Sequence, residues 1–142
     1  MLQRVTVTVR TTGLGPDGAQ DTPVLHTVPG TLETAEDASV LRYEEPRELG
    51  MAGVSTRCAI RPGRIELRRS GAVTMRAVFE EGRVDESVYA LAEGELPMRV
   101  ETERLRVRLT GRGGLIELRY RLELGGMPMG QKQIRIRMEA ME

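Results

Sequence analysis

The sequence predicts an all-β fold, a single antiparallel up-and-down β-barrel of about eight to ten strands over residues 1–142. Apolar residues recur at every second position along most of the chain, the period of a strand with one buried face. Turn-forming Gly, Pro and polar clusters interrupt that alternation roughly every 8–12 residues, the spacing of a sandwich or barrel. The intervening positions are mostly charged, so the sheet is packed on one side and wet on the other. A barrel is preferred to the competing sandwich because closure removes unpaired edges, and because the first and last strands can both turn apolar rows inward.

In the first strand Val5, Val7 and Val9 alternate with Arg4, Thr6, Thr8 and Arg10. Gly13-Leu14-Gly15-Pro16-Asp17-Gly18 follows it and formally matches G-x-G-x-x-G. The dinucleotide fingerprint needs a helix directly behind it, and Pro16 and the Pro23 region deny one, so the segment reads as a flexible hairpin loop. Weaker strands are expected near Pro23–Val28, Thr31–Ala35 and Val40–Glu45, with Leu32–Ser39 the one stretch able to make a turn or two of helix. Val54, Thr56, Cys58 and Ile60 share a face, Pro62-Gly63 turns the chain, and Ile65 and Leu67 continue on the return strand of a hairpin. Val73, Met75, Ala77 and Phe79 line the next strand, ended by Glu81-Gly82, and a weaker one spans Val84–Leu91. Leu96, Met98 and Val100 lie on one parity and Leu105, Val107 and Leu109 on the other, which requires a β-bulge near Glu103. Past Gly111-Arg112-Gly113-Gly114, Ile116, Leu118, Tyr120, Leu122 and Leu124 alternate with charged residues. After the turn at residues 125–130, Ile134, Ile136 and Met138 do the same.

Composition excludes several functions. The chain has 142 residues, near the roughly 150 of one domain, with no break suggesting a linker. One Cys, Cys58, rules out an internal disulfide framework or an all-Cys metal site, and one His, His26, removes most hydrolytic and zinc chemistry. Cys58 reads as a small core residue, His26 has no spacing to a second ligand, and the methionines read as gap-fillers or loop residues, so no metal site and no cofactor is expected. Aromatics are 3% and Trp is absent, which leaves little stacking surface and argues against a nucleic-acid partner. The start of the chain lacks the form of a secretory signal, and no apolar run approaches the ~20 residues of a membrane span. A cytoplasmic location without membrane contact is therefore expected, and a lone thiol suits it.

Two candidate sites emerge from parity. Arg69 shares the face of Ile65 and Leu67 and would point inside, where Glu45, on the face of Leu41 and Tyr43, could pair with it. Tyr43, Thr56 and Tyr120 would add polar groups to that interior. Such an arginine can anchor a carboxylate or another polar ligand head group; the plainer reading has it tying down the turn at Ser70-Gly71. The second candidate is outside, where Arg104, Arg106, Arg108, Arg119, Arg121, Arg135 and Arg137 face Glu117, Glu123 and Glu139. Residues 99–142 carry ten basic and six acidic groups and residues 1–50 four and eight, so zero net charge hides a polar molecule. That face could dock polyanions or an acidic protein, or be a solvated surface whose Arg stems cover the sheet.

Tyr43-Glu44-Glu45 with Leu49-Gly50, Arg69-Ser70-Gly71-Ala72-Val73 with Met75 and Phe79, then Tyr89, Gly94, Thr102, Gly114, Leu118 and Tyr120 give a family signature. From about Val24 to Met138 the chain resembles the YwiB-like family of bacterial proteins, a domain of unknown function. The resemblance implies a calycin-like barrel similar to lipocalins and fatty-acid-binding proteins. Family members tend to carry Thr-Pro after the tyrosine where this chain has Tyr89-Ala90-Leu91-Ala92, and the family offers no catalytic residues to carry over. The expected function is non-enzymatic binding of a small, partly apolar molecule inside the barrel, with no catalytic residues. The alternative is an interaction or oligomerisation module with a solid core, docking an acidic protein or a second copy through its basic face.

Overall fold

The computed structural model describes residues 1–46 and 53–141, so Leu49-Gly50 of the family signature lie outside the described residues. Ten strands follow one another: β1 (Leu2–Leu14), β2 (Val24–Thr34), β3 (Ser39–Glu44), β4 (Val54–Arg61), β5 (Arg64–Gly71), β6 (Thr74–Phe79), β7 (Val84–Leu91), β8 (Gly94–Thr110), β9 (Gly113–Leu124) and β10 (Met127–Ala140). Each pairs antiparallel with its chain neighbours, and β1 pairs with β10, closing the barrel. The expected architecture is thereby confirmed.

Alternation carries straight into packing. Val5, Val7 and Val9 of β1 lie opposite Ala140, Met138 and Ile136 of β10, so first and last strands do share one interior. Cys58 stands between Leu41 and Leu67, and Ile60 faces Ile65, all buried. The Glu103 bulge is real: the register shifts between Thr102 and Arg104, which sends Val100 and Thr102 inward before it and Leu105 and Val107 inward after it. Glu103 itself turns outward, accepts from Gln131 Nε2 at 2.7 Å and lies 3.7 and 3.5 Å from Arg119 and Arg121.

The stretch Leu32–Ser39 is not helical: it is the end of β2, a turn closed by Ala35 N–H on the Ala38 carbonyl (3.0 Å), and the start of β3. Burying Leu32 opposite Leu41 outweighs its helix propensity. The two weak strands expected around Pro29 are one. Thr34 N–H bonds Met1 O on the β1 side, so by alternation the position lacking an N–H at Pro29 faces β3, whose pairing with β2 reaches only Gly30.

The β2–β3, β4–β5, β6–β7 and β8–β9 turns share one end of the barrel, the lower end, with both termini. Of its inward side chains Val7, Leu32, Ile60, Ile65, Phe79 and Met138 are buried, whereas Val107 is half-buried and Leu109 exposed. Towards the upper end Val28, Tyr89, Tyr120, Leu122, Leu124 and Ile134 face in but are only half-buried. The wall is thinnest between β6 and β7, paired at Thr74/Ala90 and Met75/Tyr89 alone. Beyond those rungs Asp85 Oδ2 accepts the Val78 N–H at 2.9 Å, a carboxylate replacing a ladder bond, while the β6–β7 turn bonds β8 through Gly82 N–H on Thr102 O (2.9 Å) and Thr102 N–H on Arg83 O (3.0 Å).

Val78 is fully buried, so Asp85→Ala would strand its N–H and cost about 1–3 kcal/mol. Asp85→Asn, which keeps an acceptor, should recover much of that loss in denaturant unfolding; equal loss in both variants would refute the account.

Candidate functional site

The interior polar cluster forms on one cross-strand rung. Tyr43 of β3 faces Thr56 of β4, which faces Arg69 of β5, and all three point in because each sits on its strand's apolar parity. Glu45 lies two residues beyond Tyr43, its N–H continuing the ladder to Val54 O at 2.8 Å, so its side chain also enters the barrel. It is 6% exposed. Thr56 Oγ1 donates to Glu45 Oε1 at 2.5 Å, and Arg69 Nε lies 3.6 Å from the same oxygen. His26 Nε2, from β2, is 3.8 Å from Glu45 Oε2. The anticipated Arg69 and Glu45 pair thus exists, with Thr56 and Tyr43 beside it. Tyr120 of β9 also faces the interior, but the contact its ring makes is with Phe79, tilted at 5.1 Å between centroids, and not with the Arg69–Glu45 pair.

His26, set aside on spacing, was missed as a member. The signal was its shared parity with the inward-facing Val28 on the same strand. Thr102 and Ser87 were missed too. Thr102 Oγ1, Ser87 Oγ, Arg69 Nε and both His26 ring nitrogens are buried without a hydrogen-bond partner among the described residues.

Burial sets the protonation of the cluster. It lifts the Tyr43 hydroxyl well above its usual range, with Cys58 and Glu45 adding to the effect and Arg69 and Thr56 opposing it. Cys58 is pushed to about 12, chiefly by burial, and Tyr120 also rises by burial. Desolvation lowers His26; Glu45 opposes the shift and Arg69 reinforces it. At neutral pH the imidazole is uncharged and the thiol protonated, so the cluster lacks an activated nucleophile. Among the described residues no group of three or more His, Cys, Asp or Glu could hold a metal, and no helix is long and apolar enough to cross a membrane.

Outside, Arg104, Arg106, Arg108, Arg119, Arg121, Arg135 and Arg137 lie together on the wall of β8, β9 and β10. Closure adds Arg10, directly opposite Arg135, and Arg104 faces Arg119. Arg10, Arg104, Arg119 and Arg135 border an open cleft of about 440 Å³. A second basic row was not foreseen: Arg42, Arg57, Arg68 and Arg76 stand in direct register across β3 to β6, beside an outer groove of about 1030 Å³. Like charges so placed repel, and Glu33 and Glu66 offset three of the four: Arg42 lies 3.5 Å from Glu33, while Glu66 binds Arg68 (2.6 Å) and Arg76 (3.1 Å) and is held near a pKa of about 2 by those hydrogen bonds.

His26 predicts a pH dependence. Its folded pKa lies below the ordinary 6.5, so below pH 6.5 the unfolded chain takes up the proton first, and stability falls as pH drops towards the folded value. The melting temperature should decline between about pH 7.5 and about pH 5.5, and His26→Gln should flatten that decline; an unchanged slope in the variant would exclude His26 as its source.

No curated protein matches the chain. Among solved structures it is similar to the crystal structure of ywiB protein from Bacillus subtilis, at 24% identity over 99% of this chain and 94% of that one, with a TM-score of 0.86. That likeness speaks to the barrel alone. The family model described as Domain of unknown function (DUF1934) matches residues 7–136 and names no catalytic activity; with that match over nearly the whole barrel, the chain belongs to this family.

Proposed function

We propose that the protein binds a small, neutral, partly apolar molecule in the upper half of its barrel, without transforming it. One observation carries the reading: among the described residues, buried polar atoms of His26, Arg69, Ser87 and Thr102 have no hydrogen-bond partner, and they share the interior with Val28, Tyr120, Leu122 and Leu124, which are only partly buried. Each unpartnered group forfeits about 1–3 kcal/mol, which a guest offering oxygen or nitrogen acceptors would recover. Ten strands also enclose more width than the eight or so that side chains alone just fill. The rows around the cluster use small residues: Gly30, Val54, Thr56, Cys58, Ala77 and Thr102.

The charge count favours a neutral head group over the carboxylate that a lone buried arginine would suggest. Arg69 already faces Glu45, so an incoming anion would arrive beside a carboxylate, and a buried charge without its own counter-ion is costly. Hydroxyl, ester or amide groups meet Arg69, His26 and Thr102 without that cost. The aliphatic part of the guest would lie against Val28, Leu122 and Leu124 towards the upper opening.

Native mass spectrometry of freshly purified protein tests this. A retained adduct, removed by denaturation and identified as a neutral amphiphile, is the expected result; bare protein, together with no thermal shift from long-chain alcohols or monoacyl esters, would reject the reading. Thr102→Val sharpens it. In an empty barrel the variant loses an unpartnered hydroxyl and should gain about 1 kcal/mol, whereas with a guest bonded to that hydroxyl, ligand-induced stabilisation should shrink.

A further inference from the structure

The barrel is closed, yet one stretch of its wall pairs on one side only. β7 pairs with β8 as far as Glu101, while β8 continues to Thr110 with β9 as its one described strand partner over that length; on the other side Thr102 bonds the β6–β7 turn. In an antiparallel ladder successive residues aim their N–H and C=O groups to opposite sides. Leu105 N–H bonds the Glu81 carboxylate at 3.0 Å, on the side away from β9. Val107 and Leu109, of the same parity, therefore aim their backbone groups to that side too, where no described strand pairs with them. An open cleft of about 1020 Å³ adjoins this edge, between it and the β2–β3 and β4–β5 turns. Five consecutive β8 residues, Leu105 to Leu109, line it, with Ile60 and Pro62 across the gap.

The edge carries two different rows. Leu105, Val107 and Leu109 make its inner row, and Leu109 is 36% exposed. Arg104, Arg106 and Arg108 make its outer row, all exposed, and none forms an ion pair among the described residues. We infer that β8 is a docking edge for an extended segment of another protein with acidic residues at alternate positions and apolar residues between them. Such a segment repeats its side chains on each face every two residues, as β8 does. Its backbone would bond Val107 and Leu109, its carboxylates would meet Arg106 and Arg108, and its apolar side chains would enter the cleft beside Ile60 and Pro62.

Charge also selects against the other obvious occupant. A second copy pairing through the same edge would form an isologous contact, setting Arg106 and Arg108 against arginines of the same row. Like charges directly opposite destabilise a sheet. The edge thus disfavours its own copy and complements an acidic strand along its arginine row, while the far wall of the cleft carries Glu36 and Asp37 beside Arg61.

A synthetic peptide alternating glutamate with valine tests this, with the lysine–valine peptide as control. The full chain should bind the first in a saturable, salt-sensitive manner and not the second, and amide exchange at Val107 and Leu109 should slow on binding. Val107→Pro removes the edge N–H without touching the β9 ladder and should weaken binding at least about tenfold. The double variant Arg106→Glu with Arg108→Glu should bind the lysine–valine peptide instead, which keeps the test open should Val107→Pro fold poorly. Absence of saturable binding, unchanged exchange at Val107 and Leu109, equal affinity of a folded Val107→Pro, or failure of the charge swap would each overturn the inference.

Discussion

Pairing of β1 with β10 is the constraint on which everything else rests. Until those strands meet, the alternating rows are merely amphipathic; once they meet, each position is committed to inside or outside. The same pairing brings Arg10 beside Arg135, so the basic surface and the core arise from one ladder. It is also the most remote pairing in the chain, joining the two termini, and its closure entropy is recovered only by the buried rows that it completes.

Within that frame the polar cluster is the chief departure from a uniformly apolar core. A buried ion pair is weak evidence for stability, since apolar replacement is often neutral or better. Its presence beside buried groups that lack hydrogen-bond partners is therefore more informative than its energy. Arg69 retains 23% side-chain exposure, so part of its charge remains solvated, while Glu45 is held by Thr56 and cannot easily turn out.

Much of this was legible from alternation. Parity alone turned Arg69 and Glu45 inward and required a bulge at Glu103, because a period of two leaves no other way to bury both Val100 and Leu105. What parity cannot convey is register. It could not set Arg42, Arg57, Arg68 and Arg76 on one row, since that depends on the lengths of three successive turns. His26 was set aside for a related reason: it has no partner nearby in sequence, and the one it meets, Glu45, is brought to it across strands. For Leu32–Ser39 local propensity left a turn of helix open beside the Thr31–Ala35 strand, and it is the Leu41 partner across the sheet that decides for the strand.

The two-rung seam between β6 and β7 gives the molecule a preferred line of failure. Elsewhere a fluctuation must break a full ladder; here it need only part Thr74 from Ala90 and Met75 from Tyr89 and release Asp85 from Val78. Local opening follows the path of fewest protecting bonds, so these strands should breathe well before the barrel unfolds. A wall built this way can part along one line while the remaining staves stay together, so local and global opening are separate events.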